Sequence, residues 1–115
     1  MGRIPCLNTI SNSQALYLME TRVHLPDSEP PATIREVVAA LKKQKLIASH
    51  DKQSWGDWIN FEGKQTVISI ESMNGLTTSA TIEEAEGEDD ILIACITAFR
   101  KLGWFGEDED GPYPL

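Results

Sequence analysis

Two tight-turn dipeptides, separated by one strand length, constrain this chain more than any other feature. Asn74-Gly75 is the strongest short-range signal for a β-hairpin, and Gly63-Lys64 suits a type II′ turn. Stretches that alternate or are rich in Val, Ile and Thr flank both dipeptides. We therefore predict a three-stranded antiparallel meander over residues 57–62, 65–73 and 76–83.

The lengths of the two turns predict the register of the meander. Two-residue loops place Ile59 opposite Ile68 and Phe61 opposite Thr66, and they place Ile70 opposite Ser79 and Ile68 opposite Thr81. A slip of one residue at either turn would exchange the two faces of the sheet. On this register one face carries Ile59, Phe61, Ile68 and Ile70, and the other carries Trp58, Asn60, Val67, Ser69, Met73, Leu76, Ala80 and Ile82.

A helix is predicted on each side of the meander. The first spans about 33–47, where Thr33 and Glu36 match the S/T-x-x-E capping box that begins a helix. The second spans about 89–102 and has a much wider apolar arc, with Gly103 as a natural C-terminal stop. We therefore expect both helices to contribute an apolar face to the core.

The chain is long enough for one domain with its own core and too short for two ordinary ones, at 115 residues. Residues 1–15 show no period and are predicted to form a flexible lead-in, and 16–25 alternate as a strand. Residues 16–105 form the predicted domain, and 106–115 an acidic C-terminal tail. The predicted fold class is α+β, with the order strand, helix, three-stranded antiparallel meander, helix, and with the helices packed mainly on one sheet face.

The net charge of −8 is concentrated in two acidic clusters that bracket the second helix. The second cluster is 107–110, and once both are set aside, eight acidic residues remain against ten basic ones. One interpretation is that the first cluster is a solvated turn with a helix cap and that the second is an acidic tail. The other is a surface that attracts a basic partner protein. The partner-binding residues would then be Trp58 and the first cluster, which consists of Glu83, Glu84, Glu86, Glu88, Asp89 and Asp90.

Trp58 has two interpretations of its own. If both helices cover the face that carries Ile59, the opposite face exposes an apolar patch of the kind that marks a partner site. The patch could also join two copies of the chain as a homodimer. Alternatively, the N-terminal segment or the acidic tail folds over Trp58, or the helices cover the face that carries it, and Trp58 is then part of the core. The predicted patch consists of Trp58, Val67, Met73, Leu76 and Ile82.

No established catalytic or metal-binding motif is found in the sequence. The G-x-S-x-G, P-loop, G-x-G-x-x-G and H-E-x-x-H patterns are absent, and neither Cys6 nor Cys95 has a partner at metal-ligand spacing. An EF-hand around Gly87 is excluded because its first and last ligand positions are Ile82 and Ile93. We therefore predict no catalytic residue, no metal and no cofactor.

A general base is most often a histidine, and the chain has two. His24 lies on the polar side of the first predicted strand, and His50 precedes Asp51 in a predicted polar loop. A small-ligand-binding domain or hydrolase with a cleft near His50 and Trp55, also lined by Asp51 and Trp58, is therefore the alternative to a binding module.

The order helix, three strands, helix over 33–103 is similar in topology to the double-stranded RNA-binding domain. That family binds RNA through lysines at the start of its second helix. The corresponding residues here are Glu88, Asp89 and Asp90, which would repel phosphate, so no nucleic acid partner is predicted.

No apolar run is long enough to span a bilayer, and the N-terminus lacks the apolar core of a signal peptide. We therefore expect a cytoplasmic protein without a membrane partner. Its predicted function is that of a small acidic protein-binding module, of the inhibitor, immunity-type, adaptor or chaperone-like kind. A ligand-binding domain or hydrolase, and a self-associating structural domain, remain the alternatives.

Overall fold

A computed structural model describes residues 18–115, and the predicted lead-in over 1–15 lies outside them. The fold is mixed α+β with an antiparallel sheet, whose seven strands follow the order β3-β4-β5-β7-β1-β8-β9. Strands β2 and β6 form a separate two-stranded sheet. The elements are β1 (Leu18–His24), β2 (Ala32–Thr33), α1 (Ile34–Lys43), β3 (Ala48–Lys52), β4 (Asp57–Phe61), β5 (Val67–Ile70), β6 (Leu76–Thr77), β7 (Ser79–Ala85), α2 (Asp89–Lys101), β8 (Phe105–Asp108) and β9 (Gly111–Pro114).

The capping box predicted for the first helix is confirmed. The Thr33 Oγ1 accepts from the Glu36 amide at 3.0 Å, and the Glu36 carboxylate accepts from the Thr33 amide at 3.0 Å. Helix α1 ends at Lys43, before the predicted end, and Lys45 has a φ of 66°, which is outside the helical range. No helix within 18–115 is long and apolar enough to cross a membrane.

Both helices share a single core with one face of the sheet. Val37 and Leu41 from α1 and Cys95 and Phe99 from α2 are fully buried in it. Trp104, just after α2, is also buried and packs against Phe99 with a ring-centroid distance of 4.8 Å. The sheet contributes Val23, Ile59, Phe61, Ile68, Ile70, Ala80 and Ile82 to the same core.

The register predicted for the first hairpin is confirmed, whereas that of the second hairpin is wrong by one residue. Ile59 pairs with Ile68 as expected, but Ile70 pairs with Ala80 and Ile68 with Ile82. Met73 and Leu76 do flank the Asn74-Gly75 turn, so the extra residue lies beyond it. Two residues, 71 and 72, face three, 77–79, as in a β-bulge.

The bulge is stabilised by a side chain that takes the place of regular sheet pairing. Thr77 Oγ1 lies within hydrogen-bond distance of the carbonyls of Glu71 (2.9 Å) and Ser79 (2.8 Å), which share its single proton, and it accepts from the Ser79 amide at 3.2 Å. The bulge moves Ala80 and Ile82 to the core face. The predicted apolar patch is therefore wrong in part, because Ile82 is buried beneath the helices while Met73 and Leu76 are exposed at the hairpin end.

Three strands of the sheet were not predicted as strands. Strand β3 occupies the expected polar loop, and only its first residue, Ala48, is buried. Strands β8 and β9 occupy the segment predicted as an acidic tail, and β8 pairs with β1. These strands lie at the two margins of the sheet, where polar side chains stay in solvent, so the apolar alternation that marks a strand is missing.

Candidate functional site

The sheet face that points away from α1 and α2 is a continuous, mainly polar surface. Directly opposed residues on neighbouring strands place their side chains on the same face, so the register identifies its members. One row of partners crosses all seven strands. We call this surface the open face. Its first row consists of Asp51, Trp58, Ser69, Thr81, Arg22, Glu107 and Pro112, and its second row of Ser49, Asn60, Val67, Glu83 and Glu20. A third, shorter row consists of Ser79, His24, Phe105 and Pro114, and Glu71, just after the end of β5, lines the same surface.

Negative charge predominates on the open face. Its carboxylates belong to Glu20, Asp51, Glu71, Glu83 and Glu107. Against them stand one arginine, Arg22, and one histidine, His24, whose Nε2 lies 3.8 Å from a Glu107 oxygen. Glu20 lies directly opposite Glu83, and like charges in that position destabilise an antiparallel pair. Within residues 18–115 no basic side chain lies within 4.0 Å of either carboxylate. The face therefore holds negative charge that the described part of the fold does not neutralise.

Two tryptophans border a shallow depression of about 580 Å³ on the open face. Trp58 comes from β4 and is half-buried, whereas Trp55, from the loop before β4, is 45% exposed. Their rings meet edge to face, with centroids 5.2 Å apart and planes at 88°, an arrangement that aromatic quadrupoles favour. Arg22, Glu71 and Glu107 line the same depression. Trp55 was not among the predicted partner-binding residues, because loop sequence does not reveal its contact with Trp58.

The first acidic cluster does not form one surface. Glu83 belongs to the open face, whereas Glu84 points to the opposite side and is only 6% exposed. A hydrogen bond with Asp89, and to a lesser degree burial, raises the pKa of the Glu84 carboxyl. Glu86 and Asp90 remain exposed. Adjacent acidic residues thus have different environments, because successive strand residues alternate between faces.

Glu88 is engaged within the fold. Its carboxylate accepts hydrogen bonds from the Thr66 hydroxyl at 2.6 Å, from the Thr66 amide at 2.9 Å and from the Gln65 amide at 3.1 Å. Thr66 is fully buried, and its Oγ1 in turn accepts from the Ala85 amide at 3.1 Å. Burial alone would raise the pKa of Glu88, but the hydrogen bonds from Thr66 and Gln65 outweigh it and lower that pKa. Glu88 therefore joins the start of α2 to the hairpin between β4 and β5.

A buried carboxylate connects the histidine of β3 to a serine. His50 Nε2 donates to one oxygen of Asp57, and the Ser72 hydroxyl donates to the other. Asp57 is 1% exposed, and burial alone would raise its pKa, but the hydrogen bonds from Ser72 and His50 hold the pKa below its usual value. Both partners donate to the aspartate, so Ser72 is not placed as a nucleophile with His50 as its base.

The structure does not bring together the four residues of the predicted cleft. His50 is opposite Ile59 on the helix side of the sheet, whereas Asp51 is opposite Trp58 on the open face. Trp55 borders the open-face depression, which His50 does not line. His50 instead lines a groove of about 520 Å³ against α1, which we call the α1 groove. It is bordered by Ile34, Arg35, Val38, Ala39, Lys42, His50 and Gly75.

Residues 18–115 contain no group of three or more His, Cys, Asp or Glu side chains arranged to hold a metal ion. Cys95 is buried in the core, and burial raises the pKa of its thiol to about 12. A thiol of that pKa is protonated at neutral pH and is a poor nucleophile or metal ligand. Cys6 lies outside the described residues.

No protein-family model, curated protein or solved structure matches this chain. Of the surfaces of the described domain that offer a ligand both apolar and charged contacts, two differ in the sign of their charge. One is the open face, with its carboxylates around two tryptophans, and the other is the α1 groove, with basic side chains beside an apolar floor.

Proposed function

We propose that this protein is an acidic binding module that engages a basic surface of a partner protein through the open face. The observation that carries the proposal is the position of Glu20 directly opposite Glu83, beside a depression bordered by Trp55 and Trp58. The like-charge pair is unfavourable in the isolated fold, and a basic partner would make it favourable.

Charge and aromatic contacts have different roles in this proposal. The carboxylates attract a basic partner over several ångströms and accelerate its association. The tryptophans supply an anchor, because an arginine or lysine that lies on an indole face gains a cation–π interaction as well as apolar contact. Trp55, 45% exposed, is accessible for such a contact.

The carboxylates of the open face argue against a homodimer, and the separate positions of His50 and Trp55 argue against a hydrolase. A homodimer through the open face would bring Glu20 and Glu83 close to carboxylates of a second copy, and like charges oppose association. A hydrolase cleft formed by His50 and Trp55 would need both side chains on one surface, and they line different ones. A basic partner is therefore the occupant we propose.

A nona-arginine peptide tests the proposal as a probe of the basic surface. In titrations followed by amide chemical shifts, we expect the largest changes at β1, β7 and the loop that carries Trp55. Affinity should fall steeply when salt rises from about 20 to about 200 mM, because exposed charges are then screened. Largest shifts at the α1 side, or affinity that is indifferent to salt, would contradict the proposal.

Matched charge variants separate the open face from the other acidic residues. We expect E20Q/E83Q to weaken peptide binding about tenfold while leaving the fold as stable or more stable, because it removes a repulsive pair. The control E86Q/D90N makes the same change in net charge at two exposed positions off the sheet. Equal weakening by both double variants would show that net charge alone attracts the peptide, and the open face would not be the site.

A further inference from the structure

The α1 groove combines an apolar floor with basic margins. Ile34, Val38 and Ala39 of α1 form the apolar part, and Gly75 of the hairpin turn also borders the groove. The Ile34 amide donates to the Gly75 carbonyl at 3.1 Å, so the turn is attached to the start of the helix. A volume of about 520 Å³ lies within the range of small-molecule sites.

The groove has basic margins because two basic residues are spaced along α1 so that they lie on the same side of the helix. Arg35 and Lys42 are seven residues apart, which is two helical turns, so they lie on the same side of the helix with Val38 and Ala39 between them. Both side chains are exposed. In a chain with a net charge of −8, the groove is thus a local region of positive charge. An anionic group fits it better than a neutral or cationic one.

His50 completes the margin from the side of β3. Its Nε2–H donates to Asp57, so in the neutral ring Nδ1 is a hydrogen-bond acceptor, which can contact a hydroxyl of a ligand but not its anionic oxygens. Because Ser72 also donates to Asp57, the carboxylate that orients the ring is itself held in place. A side chain oriented before binding loses less conformational entropy when the ligand arrives. The Asp57 carboxylate accepts hydrogen bonds from both side chains and does not line the groove, and Arg35 and Lys42 supply the attraction for an anion.

We infer that the α1 groove binds a small amphipathic anion, whose carboxylate or phosphate contacts Arg35 and Lys42 and whose apolar body lies on Val38 and Ala39, beside the ring of His50. This binding is independent of the open face, which is on the other side of the sheet and has the opposite charge. The protein would then carry two separate sites, one for a basic protein and one for a small anion.

Hexyl phosphate, hexanoate, hexan-1-ol and inorganic phosphate test this inference, each titrated into the full chain and followed by amide chemical shifts. We expect hexyl phosphate or hexanoate to shift α1, β3 and the Gly75 turn. The alcohol and inorganic phosphate should each bind at least about tenfold more weakly, because each lacks one of the two kinds of contact. Equal binding of the alcohol, equal binding of inorganic phosphate, or no binding by either amphipathic anion would overturn the inference.

Two double variants test where the anion binds. R35Q/K42Q should weaken the binding of hexyl phosphate or hexanoate about tenfold or more. The control K43Q/R100Q removes the same charge from two exposed residues that do not line the groove, and it should bind as the native chain does. Similar weakening in both variants would show nonspecific attraction and would overturn the inference. Unfolding midpoints of both variants verify that each remains folded.

Discussion

The ring of His50 is hydrogen-bonded to the carboxylate of Asp57, although the two residues are not opposite each other in the sheet. His50 pairs with Ile59 and Asp57 pairs with Lys52, so the contact is diagonal across β3 and β4. Since Ser72 binds the second oxygen of Asp57, one buried carboxylate joins an edge strand, its neighbour and the segment after β5. Asp57 thereby fixes the histidine that borders the α1 groove.

Replacing Asp57 by asparagine should destabilise the fold by about 1–3 kcal/mol at neutral pH, because charge-assisted hydrogen bonds in a buried position are lost. The pKa of Asp57 is lowered in the folded state, so its contribution is present above the unfolded pKa of about 4 and is lost as pH falls through the folded pKa. The difference between the native chain and D57N, measured by urea denaturation, should therefore shrink at low pH. A difference that does not change with pH would contradict this assignment.

Glu84 should show the opposite pH dependence. Its pKa is raised by the hydrogen bond with Asp89 and by burial, so its stabilising protonated form is lost as pH rises through the folded pKa. We expect E84Q to gain stability relative to the native chain between about pH 4 and pH 7, because glutamine keeps a hydrogen-bond donor without ionising. E86Q, at an exposed position outside the sheet, is the control. Parallel stability curves for the native chain and E84Q would show that Glu84 does not titrate as described.

Removing the Glu88 side chain should destabilise the protein by about 1–3 kcal/mol, since the Thr66 hydroxyl and two backbone amides lose their acceptor. E86A is the matched control, because Glu86 is exposed two residues away. Chemical denaturation of E88A and E86A compares them directly. If E86A is as destabilised as E88A, the effect reflects charge or helix propensity and not the contacts of Glu88.

The bulge after the second hairpin turn should depend on Thr77. T77V preserves the shape of the side chain but leaves the Glu71 and Ser79 carbonyls without their donor, which should cost about 1–3 kcal/mol. T78V changes an exposed neighbouring residue and should have an effect within about 0.5 kcal/mol. Thermal unfolding measures the stability of the two variants, and amide spectra show whether each keeps the native strand register. A small effect of T77V would mean that the bulge is stabilised by backbone contacts alone.

The local sequence was sufficient to predict a structural feature wherever the contacts that determine the feature are close in the chain. The capping contacts of Thr33 and Glu36 are three residues apart, and the Ile59–Ile68 register follows from one short turn. The Asn74-Gly75 turn is also local, and both residues have the positive φ that such a turn requires, 56° and 78°. These features were predicted correctly for that reason.

Contacts between segments that are distant in the chain determined the features that the sequence did not predict. Glu88 meets Thr66 across 22 residues, and His50 meets Asp57 only because β3 joins the edge of the sheet. The bulge at Thr77 moved Ile82 from the predicted open surface into the core, which left a polar and acidic face in place of an apolar one. None of these relationships has a local periodic signal.

The sequence by itself determined which segments are helical, where the meander turns and how much negative charge the protein carries, because capping, periodicity and composition act over a few residues. The tertiary structure alone decided which carboxylates share a surface, since alternation along strands and the order of strands in the sheet set each side chain's neighbours. Glu83 and Glu84 are adjacent in the chain, yet one lies on the open face and the other is buried on the helix side.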